Sequence, residues 1–323
     1  MSEYLLQIKN LNMEYRTYDG TVNAINNLNL NLKRGKTIGL VGETGAGKTS
    51  TALSIMRLIP EPPGVITSGE IMFEDRDILK SSIADIRKIR GSKISMIFQN
   101  PMTSLNPVLT VGQQISGVIK QHENVSKSEA DKRAGEMLEI VGIPKARLNN
   151  YPHEFSGGMK QRVCIAMGLS CNPELLIADE PTTALDVTIQ AQILDLMKGL
   201  KSKYNTSIIF ITHALGVVAE IADYVVVMYS GSVIEQGDIK SIFTNPLHPY
   251  TKGLFGCLPD IESDEKRLKI IRGEMPDPMN LPKGCKFCNR CDEAIDICFT
   301  EEPKEVAIDT EHLVKCHRVV GGV

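Results

Sequence analysis

Apolar and polar residues alternate along residues 4–12 and 22–32, most plainly in Leu28-Asn29-Leu30-Asn31-Leu32. A period of two predicts antiparallel strands with one buried face. Short apolar runs at 94–98, 175–178, 207–212 and 224–229 lack the alternation and read as strands buried on both sides. Helical spacing appears at 48–58, 126–141, 158–170 and 188–204. Strand–helix alternation of this kind predicts an α/β fold whose mostly parallel sheet is covered on both faces. The segment from about 87 to 157 reads as a helical insertion into that core. Beyond Gly237 the texture changes: prolines recur at Pro246, Pro249, Pro259, Pro276, Pro278 and Pro282, and cysteines crowd toward the end. That tail is expected to be a separate small module. There is no internal repeat and no low-complexity run.

Length and composition narrow the class without naming it. The 323 residues leave room for roughly two domains, and 42% apolar with 23% charged residues is ordinary for a globular protein. A net charge of -3 gives no basic face for nucleic acid. No apolar run reaches the length of a membrane span. The first residues, Met1 to Gln7, lack the basic and apolar regions of a signal peptide. The expectation is a protein of the reducing cytosol whose membrane association comes through partners, with cysteines serving as something other than disulfides.

The chemistry concentrates after the apolar run 37–41, where the chain reads Gly42-Glu43-Thr44-Gly45-Ala46-Gly47-Lys48-Thr49, followed by Ser50. G-x-x-x-x-G-K-[ST] between strand and helix is a phosphate-binding loop. Its glycines turn the backbone so that successive N–H groups face an anion, and the helix start adds its positive end. Lys48 brings a point charge to the phosphates, and the Thr49 hydroxyl can ligate Mg²⁺. Downstream, Leu175-Leu176-Ile177-Ala178-Asp179-Glu180 is an apolar strand ending in two carboxylates. Asp179 can hold Mg²⁺ through its water shell while Glu180 activates an attacking water. Ser156-Gly157-Gly158 opens a helix and makes a second anion-binding nest. Gln99 and His213 each follow a strand, where side chains reach a ligand crevice.

Phosphate loop, Gln99, S-G-G, Asp179-Glu180, Thr183-Ala184-Leu185-Asp186 and His213 occur in the order found in ATP-binding-cassette ATPases, which the chain resembles over roughly residues 4–250. That resemblance implies a P-loop ATPase core, with an antiparallel β subdomain and a helical subdomain, spanning residues 1–254. A Cys-rich module would occupy 255–323. It implies that Tyr15 stacks on adenine, with Tyr18 close enough to compete. Gln99 would sense the γ-phosphate and join Thr49 and Asp179 at Mg²⁺. Glu180 would be the general base, and His213 would contact the γ-phosphate. Ser156, Gly157 and Gly158 would close over ATP held by a partner subunit, with Asp186 at that interface.

Residues 245–254 (Asn245-Pro246-Leu247-His248-Pro249-Tyr250-Thr251-Lys252-Gly253-Leu254) and 98–107 are similar to segments of oligopeptide and dipeptide permease ATP-binding subunits. Met159, after the S-G-G, resembles the D-type subunit of that two-ATPase system, and methionine cannot hydrogen-bond a ribose. The resemblance implies a heterodimer with an F-type ATPase beneath two transmembrane permease subunits, at the cytoplasmic face of the membrane. An extracytoplasmic solute-binding protein would be engaged indirectly. Peptide, nickel or opine cargo remain open, because that choice lies in other subunits. Soluble ABC ATPases of DNA repair or iron–sulfur assembly are the alternative reading.

Cys285, Cys288, Cys291, Cys298 and Cys316 sit close in sequence, at a density that suits thiolate ligation of a soft metal, Zn²⁺ or an iron–sulfur cluster. His312 and His317 keep zinc open. Cys164 and Cys171 fall on a helix expected to be buried and read as small core residues. Some peptide-permease ATPases carry a tail of similar pattern that binds a [4Fe–4S] cluster. By that resemblance the ligands are Cys285, Cys291, Cys298 and Cys316, with Cys288 a fifth, unmatched thiol.

Overall fold

The computed structural model describes residues 3–183, 185–257, 270–309 and 311–320. From the N-terminus its elements are β1 (Tyr4–Thr17), β2 (Gly20–Lys33), β3 (Thr37–Val41), α1 (Lys48–Ile55), β4 (Gly64–Phe73), β5 (Arg76–Asp77) and α2 (Ile83–Ile89). There follow β6 (Ile94–Ile97), α3 (Pro101–Ser104), α4 (Val111–His122), α5 (Lys127–Ile140), α6 (Gly157–Leu169), β7 (Leu175–Asp179), α7 (Val187–Tyr204) and β8 (Ser207–Ile211). The chain continues through α8 (Leu215–Ile221), β9 (Tyr224–Tyr229), β10 (Ser232–Asp238), α9 (Ile239–Thr244) and α10 (Pro249–Gly256). It closes with α11 (Ile297–Thr300), β11 (Val306–Ala307), β12 (Leu313–Val314) and α12 (His317–Val320). Among the described residues no helix is long and apolar enough to cross a membrane.

These elements form two compact units. One comprises Met1–Leu5, Leu32–Thr37 and Lys80–Ile211. Its strands β6, β7 and β8 run parallel, with Leu175 opposite Ile94 on one side and Ser207 on the other. Every residue of β7 and β8 is buried, which is why the sequence shows unbroken apolar runs there. Helices α4 and α5 pair in this unit. Thr110 starts α4 with a reciprocal cap: Gln113 N–H donates to Thr110 Oγ1 at 3.2 Å and Thr110 N–H to Gln113 Oε1 at 2.9 Å. The guanidinium of Arg133 on α5 grips Glu123 at the end of α4 with two nitrogens. That bond holds the Glu123 carboxyl below the usual carboxylate range.

The other unit comprises Leu6–Asn31, Ile38–Leu79 and Thr212–Val323. One sheet has the order β2-β1-β4-β5; in β1 a period of two buries Leu6 and Ile8 and, where the register shifts around Asn12, Leu11 and Met13. A second set of strands runs in the order β11-β12-β10-β9-β3. Strand β3 is parallel to β9, with Ile38 opposite Tyr224, while β10 is antiparallel to β9 and to β12. The tail is thus not detached from the rest of its unit. Its strand β12 extends the β10 edge, and Phe287 is buried in one core with Val41, Val227, Tyr229 and Tyr250. Pairing between strands of two residues leaves no local signal, so the sequence could not show it.

A buried carboxylate explains how the tail is fastened. Glu235 on β10 is fully buried and accepts Leu247 N–H at 2.7 Å and His248 N–H at 2.9 Å, with His312 Nε2 2.8 Å from Oε1. The turn into α10 follows from the same place. His248 is its N-cap, accepting Tyr250 N–H on Nδ1 at 3.0 Å, and Pro249 occupies the first helical position, where its missing N–H costs nothing. Burial pushes the His248 pKa down to about 3, so the ring stays neutral and its lone pair remains available to the helix. Replacing Glu235 by alanine orphans three buried donors. The expected loss is about 3–5 kcal/mol of unfolding free energy, against about 1–3 kcal/mol for His312→Ala, which removes one partner. Denaturant titration of the purified chain checks this ordering, and equal or negligible effects would contradict it.

Candidate functional site

In the second unit, β3 is buried along its whole length and delivers the phosphate loop at its carboxyl end. Two glycines fix the path of that loop. Gly42 has φ 153° and a Cβ there would lie 2.3 Å from Met228 O; Gly47 has φ 97° and its Cβ would lie 2.6 Å from Ala24 O. Any side chain would force backbone aside, so the loop's close approach to its neighbours depends on glycine. Gly47 is the N-cap of α1, whose eight residues end at Ile55, short of the 48–58 read from the sequence. Lys48 is buried and donates Nζ–H to Gly42 O at 2.7 Å and Glu43 O at 2.9 Å. Thr44, Gly45 and Thr49 are exposed, while Ala46 is buried and gives its carbonyl to Gly231 N–H. Tyr15 is half-buried with its hydroxyl 3.5 Å from Ser50 Oγ, whereas Tyr18 stands fully exposed at the β1–β2 turn. His213 follows β8 and is exposed.

Glu43 lies at the centre of a set of contacts that the sequence did not reveal. Its N–H donates to Tyr250 Oη at 3.0 Å, and its carbonyl accepts Ala46 N–H as well as Lys48. Its carboxylate lies 3.1 Å from Arg290 on both oxygens, and the same Arg290 nitrogen donates to Tyr229 Oη at 3.2 Å. Tyr229, Tyr250 and Phe287 pack ring on ring, with centroids 4.7 to 5.3 Å apart. Burial pushes both tyrosine hydroxyls up, so they serve as neutral partners. Tyr250 stood in the sequence within the 245–254 segment, and Arg290 lies among the clustered cysteines. Neither setting says that its side chain ends at the phosphate loop.

In the first unit, β7 ends in Asp179, which is buried, and turns sharply at Glu180, whose φ of 46° is uncommon for glutamate. The turn is held by Glu180 N–H donating to Ile211 O at 2.9 Å. Glu180 Oε2 accepts from Gln99 Nε2 and from Thr183 Oγ1, each at 2.9 Å. Gln99 and Glu180, 81 residues apart in sequence, are therefore side-chain neighbours. Ser156 caps α6 by accepting Met159 N–H at 3.4 Å. Gly157 faces open space, while a Cβ on Gly158 would lie 2.7 Å from Ile189 Cγ2. Ile189 N–H in turn donates to Asp186, the N-cap of α7. The glycine pair thus has one member free for a ligand and one fixed by packing. Met159 rests its sulfur 3.8 Å from an Arg147 nitrogen. Ala184 lies outside the described residues.

The cysteine expectation finds no metal site in the described structure. Among the described residues no group of three or more Cys, His, Asp or Glu side chains is placed to hold a metal ion. Cys285, Cys288, Cys291, Cys298 and Cys316 are free, and the bond that joins Cys285 to Cys298 is between backbones, N–H to O at 2.8 Å. Burial pushes the thiol pKa up to about 12 at Cys285 and about 11 at Cys291, and raises Cys288 and Cys316 too. Both candidate histidines have other partners, His312 on Glu235 and His317 Nε2 on Glu301 O at 2.9 Å. The described residues thus leave the metal expectation without a site. Cys164 is buried with its pKa raised to about 12, as expected of a core residue, and Cys171 is partly buried.

A strand-borne phosphate loop, together with an acidic strand end that holds a glutamine, defines an ATP-binding-cassette ATPase. Comparison with known proteins agrees. Residues 25–183 match the ABC transporter family, and residues 234–298 match the C-terminal region of oligopeptide/dipeptide transporters. The Oligopeptide transport ATP-binding protein OppD of Bacillus subtilis is 54% identical over 96% of this chain and 88% of its own. The Dipeptide transport ATP-binding protein DppD of the same organism is 48% identical over 97% and 94%. OppD of Escherichia coli is 47% identical over 94% and 90%. Among solved structures, a dimeric ATP-binding cassette bound to ADP and Pi superposes with a TM-score of 0.66, at 28% identity over 72% of this chain and 98% of that one. The cbiO1 protein of Clostridium perfringens gives 0.65, at 32% identity over 76% and 92%. The chain belongs to the ATP-binding subunits of the oligopeptide/dipeptide ABC transporter family, and it is an ATPase.

Proposed function

We propose that this subunit hydrolyses ATP to power import of oligopeptides or dipeptides, with Glu180 as general base. The observation that carries the catalytic assignment is the Glu180 carboxylate, held by Gln99 and Thr183 at the end of a buried strand and adjacent in sequence to Asp179. A carboxylate so oriented can take a proton from an attacking water. The backbone N–H groups of Gly42–Thr49 other than those of Glu43 and Ala46, which are bonded within the protein, and the Lys48 ammonium would bind the phosphates, with Ser50 in the following helical turn. Thr49 and Asp179 offer oxygens suited to Mg²⁺, which neutralises phosphate charge when bound, and the Gln99 carbonyl is a third. Tyr15, half-buried beside Ser50, is the better placed of the two tyrosines to stack on adenine. His213 would meet the γ-phosphate.

Residues 1–254 carry this nucleotide chemistry, with the helical subdomain at about 87–157, and 255–323 form the Cys-rich tail. The boundary at 254 marks a change of chemistry rather than of packing, since β12 pairs with β10. The working unit is a heterodimer with an F-type ATPase, seated under two membrane permease subunits at the cytoplasmic face, with a solute-binding protein acting through them. The names of the relatives support the cargo and the membrane partners, and the dimeric cassette bound to ADP and Pi supports pairing of two ATPases. Ser156, Gly157 and Gly158 would act on the partner's ATP, with Asp186 beside them. Met159, which cannot hydrogen-bond a ribose, favours an unequal pair. For the tail, the finer reading is a [4Fe–4S] cluster on Cys285, Cys291, Cys298 and Cys316, or Zn²⁺ in its place. It is supported by sequence spacing, and holding it requires the thiols to ionise.

Glu180→Gln preserves shape and removes basicity, so turnover in the assembled transporter should fall 10²-fold or more while MgATP still binds. Near-normal hydrolysis would reject Glu180 as the base. The chain purified alone should be largely monomeric and slow, and adding the F-type partner should raise its ATPase rate. Robust cooperative hydrolysis by the isolated chain would argue for a homodimer instead. Protein prepared without air should contain about four iron and four sulfide per chain if the cluster reading holds. Stoichiometric zinc would replace it, and metal-free protein would remove it.

A further inference from the structure

We infer that Arg290, in the cysteine-rich tail, is a positioning residue for ATP binding: it neutralises and anchors Glu43, the one acidic side chain of the phosphate loop. This rests on the reading that Gly42–Thr49 binds the ATP phosphates. A loop built to hold several negative charges gains nothing from a carboxylate of its own, and an uncompensated one opposes the ligand. Arg290 resolves that conflict. Its side chain is 6% exposed, Glu43 is 30% exposed, and one nitrogen lies 3.1 Å from each carboxylate oxygen. The guanidinium is itself fixed from every side. Nε donates to Arg272 O at 2.9 Å, the shared nitrogen also donates to Tyr229 Oη, and the plane lies near the Tyr229 and Phe287 rings at 5.8 and 5.9 Å.

Glu43 is held from the backbone as well. Its N–H is taken by Tyr250 Oη, and its carbonyl receives Lys48 Nζ, the ammonium that the phosphates require. A displacement of the Glu43 side chain therefore reaches Lys48 through one residue. Arg290 touches no ligand; it sets the charge and the position of a phosphate-loop residue. Arginine suits the role because its planar fork stays charged when buried and serves several acceptors at once.

The test is MgATP affinity of the full-length chain, read by competition with a fluorescent ATP analogue, with thermal unfolding followed in parallel. Arg290→Met should weaken binding at least about tenfold, because it leaves the Glu43 carboxylate facing the phosphates. Adding Glu43→Gln in that background should restore most of the loss, a rescue that a purely structural role for Arg290 does not predict. Arg290→Lys, which keeps the charge, should lose less than Arg290→Met, and the Arg290→Met defect should shrink in high salt. If Arg290→Met does not fold, Arg290→Gln takes its place with the same expectations. In the assembled transporter the defect should raise KM for ATP and leave kcat. Wild-type affinity in Arg290→Met, or no recovery in the double variant, overturns the inference. Lys48→Ala separates the two layers of the argument. Binding lost there but intact in Arg290→Met rejects the Arg290 role alone, whereas intact binding in Lys48→Ala rejects the loop assignment beneath it.

Discussion

Glu43 is the point on which the second unit turns. A phosphate loop must be rigid before its ligand arrives, since ordering several N–H groups during binding would consume the affinity they provide. Glycine gives the loop its path and at the same time removes side chains that could brace it. The bracing comes from outside: Tyr250 holds the Glu43 N–H, Arg290 holds its carboxylate, and Lys48 holds its carbonyl. The first two depend on the three-ring core with Phe287, and that core depends on the turn fastened by Glu235. The tail is thereby built into the same set of contacts as the phosphate loop of its unit.

The first unit uses a different device. A parallel strand buried on both faces ends abruptly at Glu180, and the φ of 46° turns the side chain out of the strand's alternation. Strain of that kind persists only where neighbours enforce it. Here Ile211 O takes the backbone N–H, and Gln99 with Thr183 take one carboxylate oxygen. The carboxylate stays half-exposed.

The elements most legible in the sequence were those whose environment is uniform. Strands β7, β8 and β9 matched their apolar runs to within a residue, and α5, α6 and α7 matched their helical spacing equally well. Strand β4 was not read, because Gly69 interrupts its alternation and its partner β1 changes register near Asn12. Strand β1 extends to Thr17, beyond the 4–12 span, for the same reason. Clustered cysteines suggested a metal site by spacing alone. Spacing along a chain bounds how far sulfurs can lie apart, and among the described residues no group of side chains is placed to hold a metal.

By itself the sequence determined the α/β class, the ATPase family and the identity of the chemical groups: a Gly-Lys-Thr loop, a Gln, an Asp-Glu pair and a Ser-Gly-Gly helix start. Such groups are legible because phosphate chemistry requires particular residue types at fixed local spacing, and local spacing is what a sequence records. The tertiary structure alone decided that Arg290 meets Glu43, 247 residues away, that Tyr250 caps a loop N–H, and that His312 serves a buried carboxylate instead of a metal. Those are contacts between side chains whose neighbours are set by packing, and a lone arginine, tyrosine or histidine carries no mark of the partner that packing will bring to it.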